Sequence, residues 1–254
     1  MITRQQLDDF YRGLLQSDSY SDYGPNGLQI EGAEEIAKIA FAVSATRESI
    51  DEAVTQNADA LVVHHGLFWG FHGTRTLTGA FARRVFPLIK NDINLFAYHL
   101  PLDGHPEIGN AACLGRLIDC MEQQPFGDYK GSATGIKGLL QTPVSASILQ
   151  QKLETVLDHA VILASPDPAK SISSVGIITG GANSEWLRAA NEQLDAFITG
   201  EISEHDWHDS QENGIHMFAG GHNATENFGI QALMEKTRQQ FNVPCFFISS
   251  DNPA

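Results

Sequence analysis

The sequence predicts an α/β protein in which mostly parallel or mixed sheets are flanked by helices. Three observations carry this prediction: short apolar segments, amphipathic segments between them, and two similar stretches in different parts of the chain. With 254 residues, 42% hydrophobic and 19% charged, the chain can bury a sizeable core. The predicted fold class is therefore α/β, with two interlinked, duplicated α/β halves.

The individual elements follow from local pattern. Thr3 and Gln6 form a capping box, and the apolar stripe after it predicts the first helix. The Gly24-Pro25-Asn26-Gly27 segment is typical of a turn. Further helices are predicted at 46–56 and 225–240. Strands are predicted at 38–44, 60–63, 94–98, 175–179, 196–199, 216–219 and 243–249.

Two stretches of the chain resemble each other. Residues 39–65 align without a gap with residues 175–201, at a constant offset of 136 positions. The polar residues that recur at corresponding places are Asp59 and Asp195, His65 and Glu201, His99 and His222, and Asp103 and Glu226. Chance alignment of two βαβ units is the alternative. The recurrence of polar residues at strand ends favours a duplication.

No Gly/Ser-rich or Pro-rich linker divides the chain. The loosest stretch, residues 121–137, contains Pro125 and three glycines, and the boundary between the halves is predicted there. The predicted first half comprises residues 1–124 with residues from about 220 to 254, and it carries most candidate ligands. The predicted second half is 125–219.

Composition limits the partners and the compartment. The net charge of −15 repels phosphates and anionic lipids, which argues against nucleic acid without excluding a local basic patch. Cys113, Cys120 and Cys245 form an odd set at no metal-ligand spacing, which fits a reducing compartment. No apolar run approaches the roughly 20 residues of a membrane span. A soluble, cytoplasmic protein with no membrane partner is expected.

Two pairs of candidate metal ligands stand out. His64 and His65 follow an apolar strand, where adjacent side chains point to opposite sides and so suit two ions better than one. A histidine pair hydrogen-bonded in a loop is the alternative. His222 and Glu226 lie four residues apart at a predicted helix start and project from one face. An exposed helical surface pair is the alternative there, and the preceding Gly220-Gly221 favours a site.

Two further acid–histidine pairs lie near predicted strand ends. Asp103 is a candidate oxygen ligand, with His99 as a ligand or as a residue that orients one. Glu201 and His205 form another pair, for which a structural role is the alternative. A mixed imidazole and carboxylate set suits Zn, Mn, Fe, Ni or Co. Five candidate ligand side chains are more than one open catalytic zinc ion normally uses. The surplus predicts a carboxylate that bridges two ions about 3.5–4 Å apart.

Five segments, in one order across essentially the whole chain, carry a resemblance to a known family. They are residues 22–29, 63–66, 99–103, 198–201 and 221–226. The sequence resembles the Nif three-like proteins, the GTP cyclohydrolase 1 type 2 homologs, in their short bacterial form without an inserted middle domain. The resemblance implies the Nif three-like fold and a ring-shaped homohexamer. It also implies two divalent metal ions per chain (Zn, Mn, Fe or Ni), held by His64, His65, Asp103, His222 and a bridging Glu226.

Two functions follow as hypotheses. The first is a metal-dependent hydrolase of a small-molecule substrate, a nucleotide or a phosphoester, similar to GTP cyclohydrolase 1 type 2 by resemblance. His99, Glu201 and His205 are its candidate catalytic acids or bases, and Arg47 is a candidate anion contact. The alternative is a non-catalytic metal-handling protein or a ring-shaped interaction protein.

Overall fold

The computed structural model describes all 254 residues. Its strands are β1 (Ile2–Thr3), β2 (Gly27–Ile30), β3 (Glu35–Ile36), β4 (Ile39–Ser44), β5 (Ala60–His65), β6 (Asn94–Ala97), β7 (Cys120–Phe126), β8 (Gly135–Ser145), β9 (Ile162–Ala164), β10 (Ser171–Ile177), β11 (Ala196–Thr199), β12 (His216–Ala219) and β13 (Cys245–Phe247). Its α-helices are α1 (Arg4–Leu15), α2 (Arg47–Thr55), α3 (Gly79–Lys90), α4 (Leu100–Asp103), α5 (Asn110–Leu117), α6 (Ala146–Leu157), α7 (Trp186–Asn191), α8 (Glu204–Glu212), α9 (His222–Thr225) and α10 (Asn227–Phe241). Every predicted strand and helix is present, with bounds that shift by a few residues.

The capping box predicted for the first helix is confirmed. The Gln6 backbone N donates to Thr3 Oγ1 at 3.1 Å, and the Thr3 backbone N donates to Gln6 Oε1 at 2.9 Å. The helix buries Leu7, Tyr11 and Leu15, which the predicted apolar stripe contains. The cap and the stripe together fix where α1 begins and which face it buries.

Residues 121–137 are only partly the loose stretch that their composition indicates, because the irregular part is confined to the connection at 127–134. They form most of β7 and the start of β8, which pair antiparallel. Pro125 is tolerated because β7 is an edge strand of its sheet. Gly135 is required by close packing, since a Cβ there would lie 2.1 Å from the Ile177 carbonyl oxygen. Pro125 and Gly135 therefore lie within the paired strands, whereas Gly127 and Gly131, both at positive φ, lie in the turn between them.

The chain folds into two compact units. The first comprises Met1–Leu102 and Ile230–Asp251, and the second comprises Asp103–Gly229 and Asn252–Ala254. These bounds differ from the division at residues 124 and about 220. The difference arises because α5 packs on β7 and β8, which joins the residues after Asp103 to the second unit. The last strand returns to the first unit as expected, where β13 runs parallel to β4.

The first unit is built on a five-stranded sheet in the order β13-β4-β5-β6-β2. All neighbouring pairs are parallel except β2 with β6. One face packs its alanine, valine and leucine side chains against α2 and α3. On α1, the buried Tyr11 contacts Phe96 and Tyr98, and its hydroxyl bonds Thr237 of α10 at 2.9 Å. The sheet carries apolar side chains on both faces, as near-continuous apolar strands require.

The second unit is built on a six-stranded sheet in the order β7-β8-β10-β11-β12-β9. The central strands β10, β11 and β12 are parallel, and the outer pairings are antiparallel. Ile198 and Phe218 pack into one cluster with Leu149 and Leu153 of α6. Phe197 and Met217, the residues before them, pack into another with Trp186 of α7. Alternate side chains thus supply two cores.

The internal repeat predicted from the sequence is present in the structure. Ile39 pairs with Ala60 across β4 and β5, and Val175 pairs with Ala196 across β10 and β11, which preserves the offset of 136. The last parallel strand of each sheet, β6 or β12, is followed outward by an antiparallel edge strand, β2 or β9. The two sheets therefore share one βαβ design in topology and in register.

Asp59 and Asp195 are equivalent residues that each tie two strands together. The Asp59 carboxylate accepts from the backbone N of residues 37 and 38 at 2.8 and 2.9 Å. The Asp195 carboxylate accepts from the backbone N of residues 173 and 174 at 2.9 and 3.0 Å. We expect Asp59→Ala and Asp195→Ala each to lower the free energy of unfolding by about 1–2 kcal/mol in urea titrations. Exposed Asp209 on α8 is the matched control, and a loss as large in Asp209→Ala would contradict the assignment.

Asp195 also gives the stability a pH dependence. Burial raises the pKa of its carboxyl, but the bonds from Ser173 and Ser174 lower the pKa more, to below the ordinary 3.8. The folded protein therefore favours the charged form. Its contribution is complete above the unfolded pKa and is lost as the pH falls through the folded pKa. The stability gap between wild type and Asp195→Ala should be constant near pH 7 and should narrow below about pH 4.

Candidate metal centre

The first unit gathers three histidines at one edge of its sheet. His64 and His65 end β5, and His99 follows β6, so the parallel strands carry all three to the same side. The ring centroid of His64 lies 4.6 Å from that of His65 and 5.1 Å from that of His99. The three rings offer nitrogen atoms that all lie within 4.8 Å of one another. This arrangement is the geometry of a group that could hold a metal ion.

Each of these rings is held through its Nδ1. His64 Nδ1 lies 3.0 Å from the Tyr98 carbonyl oxygen, and His65 Nδ1 lies 2.9 Å from Ser44 Oγ. His99 Nδ1 lies 2.7 Å from Asp22 Oδ1. A carbonyl oxygen only accepts, so Nδ1 of His64 is the donor and the lone pair is on Nε2. Orientation through the second nitrogen is what metal-ligating histidines require.

The segment between Asp22 and Asn26, which belongs to the predicted turn and to one of the segments that carry the family resemblance, positions His99. The Asp22 side chain is 2% exposed and accepts from His99 Nδ1, from the Leu100 backbone N at 2.9 Å and from Asn26 Nδ2 at 2.9 Å. Asn26 Oδ1 in turn accepts from the His99 backbone N. Burial raises the pKa of Asp22, but its bond to His99 and the charge of His99 lower the pKa to below its ordinary value.

The second unit gathers a histidine and two carboxylates at the equivalent edge of its own sheet. Glu201 follows β11, and His222 and Glu226 flank the short helix α9. His222 Nδ1 lies 2.5 Å from Glu201 Oε1, and His222 Nε2 lies 3.3 Å from Glu226 Oε2. Burial lowers the pKa of His222, but Glu226 and then Glu201 raise it more, to about 9. The ring thus lies between a half-exposed carboxylate and a buried one.

Asp103 is buried in the second unit and is held by neutral donors. Its Oδ1 accepts from Asn110 Nδ2 at 2.9 Å and lies 3.4 Å from Thr179 Oγ1. Asn110 is fixed in turn because its Oδ1 accepts from the Gly229 backbone N at 2.7 Å. Buried imidazoles and carboxylates, each oriented by a second contact, form a donor set that fits a divalent transition metal.

The remaining predicted residues lie elsewhere. Glu201 bonds His222, whereas His205 lies on α8 with a side chain that is 68% exposed, 3.5 Å from Asp206. The expected pairing of Glu201 with His205 is therefore replaced by two separate contacts. Arg47 donates to Asp51 at 2.6 Å, so its charge is neutralised within α2.

Sequence reasoning missed the residues that hold the candidate ligands and His99 in place. Asp22 bonds His99 from 77 positions away, and Asn110 on α5 bonds Asp103, seven positions earlier at the end of α4. No local pattern signals either bond. Gly180 was also missed, although a signal existed. Gly180-Gly181 follows a strand as Gly220-Gly221 does, and paired glycines at a strand end indicate a close approach of the backbone to a site.

Gly180→Ala is expected to disrupt the second unit's ligands. Gly180 has a φ of +68°, and a Cβ there would lie 2.1 Å from Glu226 Oε1 and 3.1 Å from His222 Nε2. Both the backbone conformation and the space exclude the methyl group, so Glu226 must move. We expect a loss of bound metal of at least about tenfold, measured by mass spectrometry of the purified protein. Gly214→Ala, also at positive φ but with open space around it, controls for backbone strain alone.

The fold and these ligands define a duplicated α/β protein whose strand ends carry imidazoles and carboxylates that could bind a metal ion. A model of the Duf34/NIF3 (NGG1p interacting factor 3) family matches residues 2–253. The chain belongs to this family, and the resemblance found in the sequence is confirmed.

Relatives cover almost the whole chain. A protein of Pasteurella multocida (strain Pm70) is 43% identical over 98% of both chains, and one of Haemophilus influenzae is 42% identical over 98% of both. Each is named "GTP cyclohydrolase 1 type 2 homolog". The solved structure of the protein ybgI is 38% identical, with full coverage and a TM-score of 0.92. The solved structure of TTHA1606 from Thermus thermophilus is 27% identical, with full coverage and a TM-score of 0.91.

None of the helices combines the length and the apolar character that crossing a membrane requires.

Proposed function

We propose that the protein is a metal-dependent hydrolase with a dinuclear centre, and that its substrate is a nucleotide or another phosphoester. The ligands in this proposal are His64, His65, Asp103, His222 and Glu226, with Glu226 bridging. The observation that carries it is the pair of proposed ligands His64 and His65, whose nitrogen atoms lie within 4.8 Å of each other and whose rings are each held through Nδ1. Rings fixed in this way are pre-organised for a ligand.

The chemistry follows from the residues around the ions. Bound divalent ions lower the pKa of water and polarise the bond that is attacked. Asp22 fixes the His99 ring through Nδ1, so Nε2 is the atom that exchanges a proton with the substrate. Glu201 bonds His222 Nδ1, which favours an orienting role for Glu201. Catalytic roles for Glu201 and for the exposed His205 stay predictions.

Two further observations support the class of substrate and the metals. Relatives named as GTP cyclohydrolase 1 type 2 homologs support a nucleotide, and phosphoester hydrolysis would use the same ligands. The mixed imidazole and carboxylate donors favour Zn, Mn, Fe or Ni over Ca or Mg.

The free cysteines Cys113, Cys120 and Cys245 support the proposed cytoplasmic location. A homohexamer is proposed from the family resemblance, and sedimentation of the native protein tests it.

The proposal is tested by turnover of GTP and of bis-p-nitrophenyl phosphate by protein loaded in turn with Zn, Mn, Fe and Ni. We expect saturable turnover that His65→Ala abolishes, because removing one ligand lowers metal affinity about 10–100-fold or more. His208→Ala removes an exposed histidine of α8 and should leave turnover unchanged. Full metal loading without turnover of either substrate would overturn the hydrolase and favour a metal-handling protein.

A further inference from the structure

A basic and aromatic segment adjoins the three histidines of the first unit. Residues 60–91 contain no Asp or Glu, although the chain has 31 acidic residues in 254. The same segment carries Arg75, Arg83, Arg84 and Lys90. Charge is therefore strongly segregated in a protein whose net charge is −15. Such a local positive region attracts anions that the rest of the surface repels.

The arginines of this segment are not neutralised within the protein. Carboxylates within 4 Å pair with five other arginines: Arg4, Arg12, Arg47, Arg188 and Arg238. Arg75 instead lies 3.8 Å above the Phe81 ring, and its Nη1 contacts His72 Nδ1 at 3.2 Å. Burial, followed by the nearby charge of Arg75, lowers the pKa of Arg84. Arg84 follows Phe81 by three residues on α3, so it lies on the side of the helix that carries the ring under Arg75. Two guanidinium groups flanking one ring without a carboxylate leave their charge for a bound anion.

Aromatic rings connect these arginines to the histidines. Trp69 meets His99 edge-on at 5.1 Å and lies 6.0 Å from His65. Phe71 stacks on Trp69 at 5.7 Å with an angle of 21° between the rings, yet Phe71 is 70% exposed. Phe71 in turn contacts His72, the neighbour of Arg75. An exposed aromatic face between a histidine cluster and an arginine pair offers a stacking surface.

We propose that this segment is a subsite for a mononucleotide, with the base stacked at Phe71 and Trp69 and the phosphate held by Arg75 and Arg84. This proposal rests on the proposed function, because the subsite gains its role from lying beside His65 and His99. The substrate therefore carries a planar ring, which stacks at Phe71 and Trp69, and an anionic group, which Arg75 and Arg84 bind. The stacking requirement excludes simple phosphoesters as tight ligands.

A free nucleotide fits better than a nucleic acid strand. A strand needs a series of cations that follows its phosphates, and affinity falls steeply when few are present. Here the segment supplies only four of the chain's 16 basic residues, and two of those four are assigned to the phosphate. One phosphate group matched to two guanidinium groups satisfies the charge that the segment presents.

The test is calorimetric titration of chelator-treated protein with guanosine 5′-monophosphate, which separates binding from metal-dependent turnover. We expect guanosine and ribose 5-phosphate each to bind roughly 10-fold more weakly or worse, because each lacks one of the two contacts.

Arg84→Gln and Phe71→Ala should each weaken binding of the monophosphate by roughly 10-fold or more. Two variants are controls. Arg83→Gln makes the same charge change one residue away, and Phe86→Ala removes a different exposed ring, which lies on α3. Both should change affinity less than about twofold.

The outcomes of the titrations distinguish failure of the subsite from failure of the hydrolase. Equal affinity for guanosine 5′-monophosphate and ribose 5-phosphate, or equal weakening by Arg83→Gln and Arg84→Gln, would overturn the subsite. Failure of the monophosphate to bind at millimolar concentration would do the same, while the hydrolase could still stand on another substrate. Tighter binding of a decathymidylate strand would assign the segment to nucleic acid instead. Binding as predicted without any turnover would uphold the subsite and contradict the hydrolase. Thermal unfolding of each variant checks that it is folded.

Discussion

Glu226→Ala is expected to reduce the bound transition metal from about two ions per chain to well below one. The Glu226 side chain is 3% exposed and lies 3.3 Å from His222 Nε2, so its charge is buried beside another proposed ligand. Removing it takes away the proposed bridging carboxylate and the charge that balances the ions. Mass spectrometry of untagged protein, purified without chelator, measures the metal content directly.

Two comparisons make the Glu226 result specific. Glu226→Gln keeps the shape and removes the charge, so it should also lose metal, by a smaller factor. Glu212→Ala removes an exposed carboxylate at the end of α8 and should retain the wild-type content. Wild-type protein that contains no metal and takes up none of Zn, Mn, Fe or Ni would contradict the dinuclear centre. The interaction-protein alternative would then lead.

Asp22→Ala is expected to lower the free energy of unfolding by about 3 kcal/mol, because it leaves several donors, most of them partly buried, without an acceptor. The Asp22 carboxylate accepts from the His99 ring and from the backbone N of Tyr23 and Leu100. The same substitution releases the His99 ring, so turnover should fall by about two orders of magnitude even in the folded variant. Urea unfolding and single-substrate kinetics measure the two effects separately.

Asp22→Asn separates orientation from burial. The amide retains one oxygen acceptor and the volume, so we expect a smaller loss of stability than for alanine, but a comparable loss of turnover. Asp18→Ala, at a carboxylate that is 76% exposed, is the control for charge in the same part of the chain. If Asp22→Ala were as stable and as active as Asp18→Ala, the positioning role of Asp22 would be wrong.

Much of the fold follows from patterns within short stretches. The strands of the central sheets are runs of apolar residues, and their bounds follow from where polar residues interrupt them. The first helix follows from the pair Thr3 and Gln6, whose bonds span three residues. The repeat was visible because Asp59 and Asp195 each accept hydrogen bonds from backbone N–H groups at the neighbouring strand. Both repeats therefore carry a carboxylate at the offset of 136. Histidines and carboxylates at strand ends could be predicted as ligands for the same local reason.

Only the tertiary structure decided what depends on residues distant in the chain. Composition marked all of 121–137 as loose, because Gly135, which close packing requires in a strand, looks the same in sequence as the turn glycines Gly127 and Gly131. The support of His99 by Asp22 joins positions 77 residues apart, and that of Asp103 by Asn110 depends on where α5 lies. Likewise, Glu201 could be paired by spacing with His205, but folding brings it to His222. Spacing determines which residues share an element, whereas packing between elements determines which side chains touch.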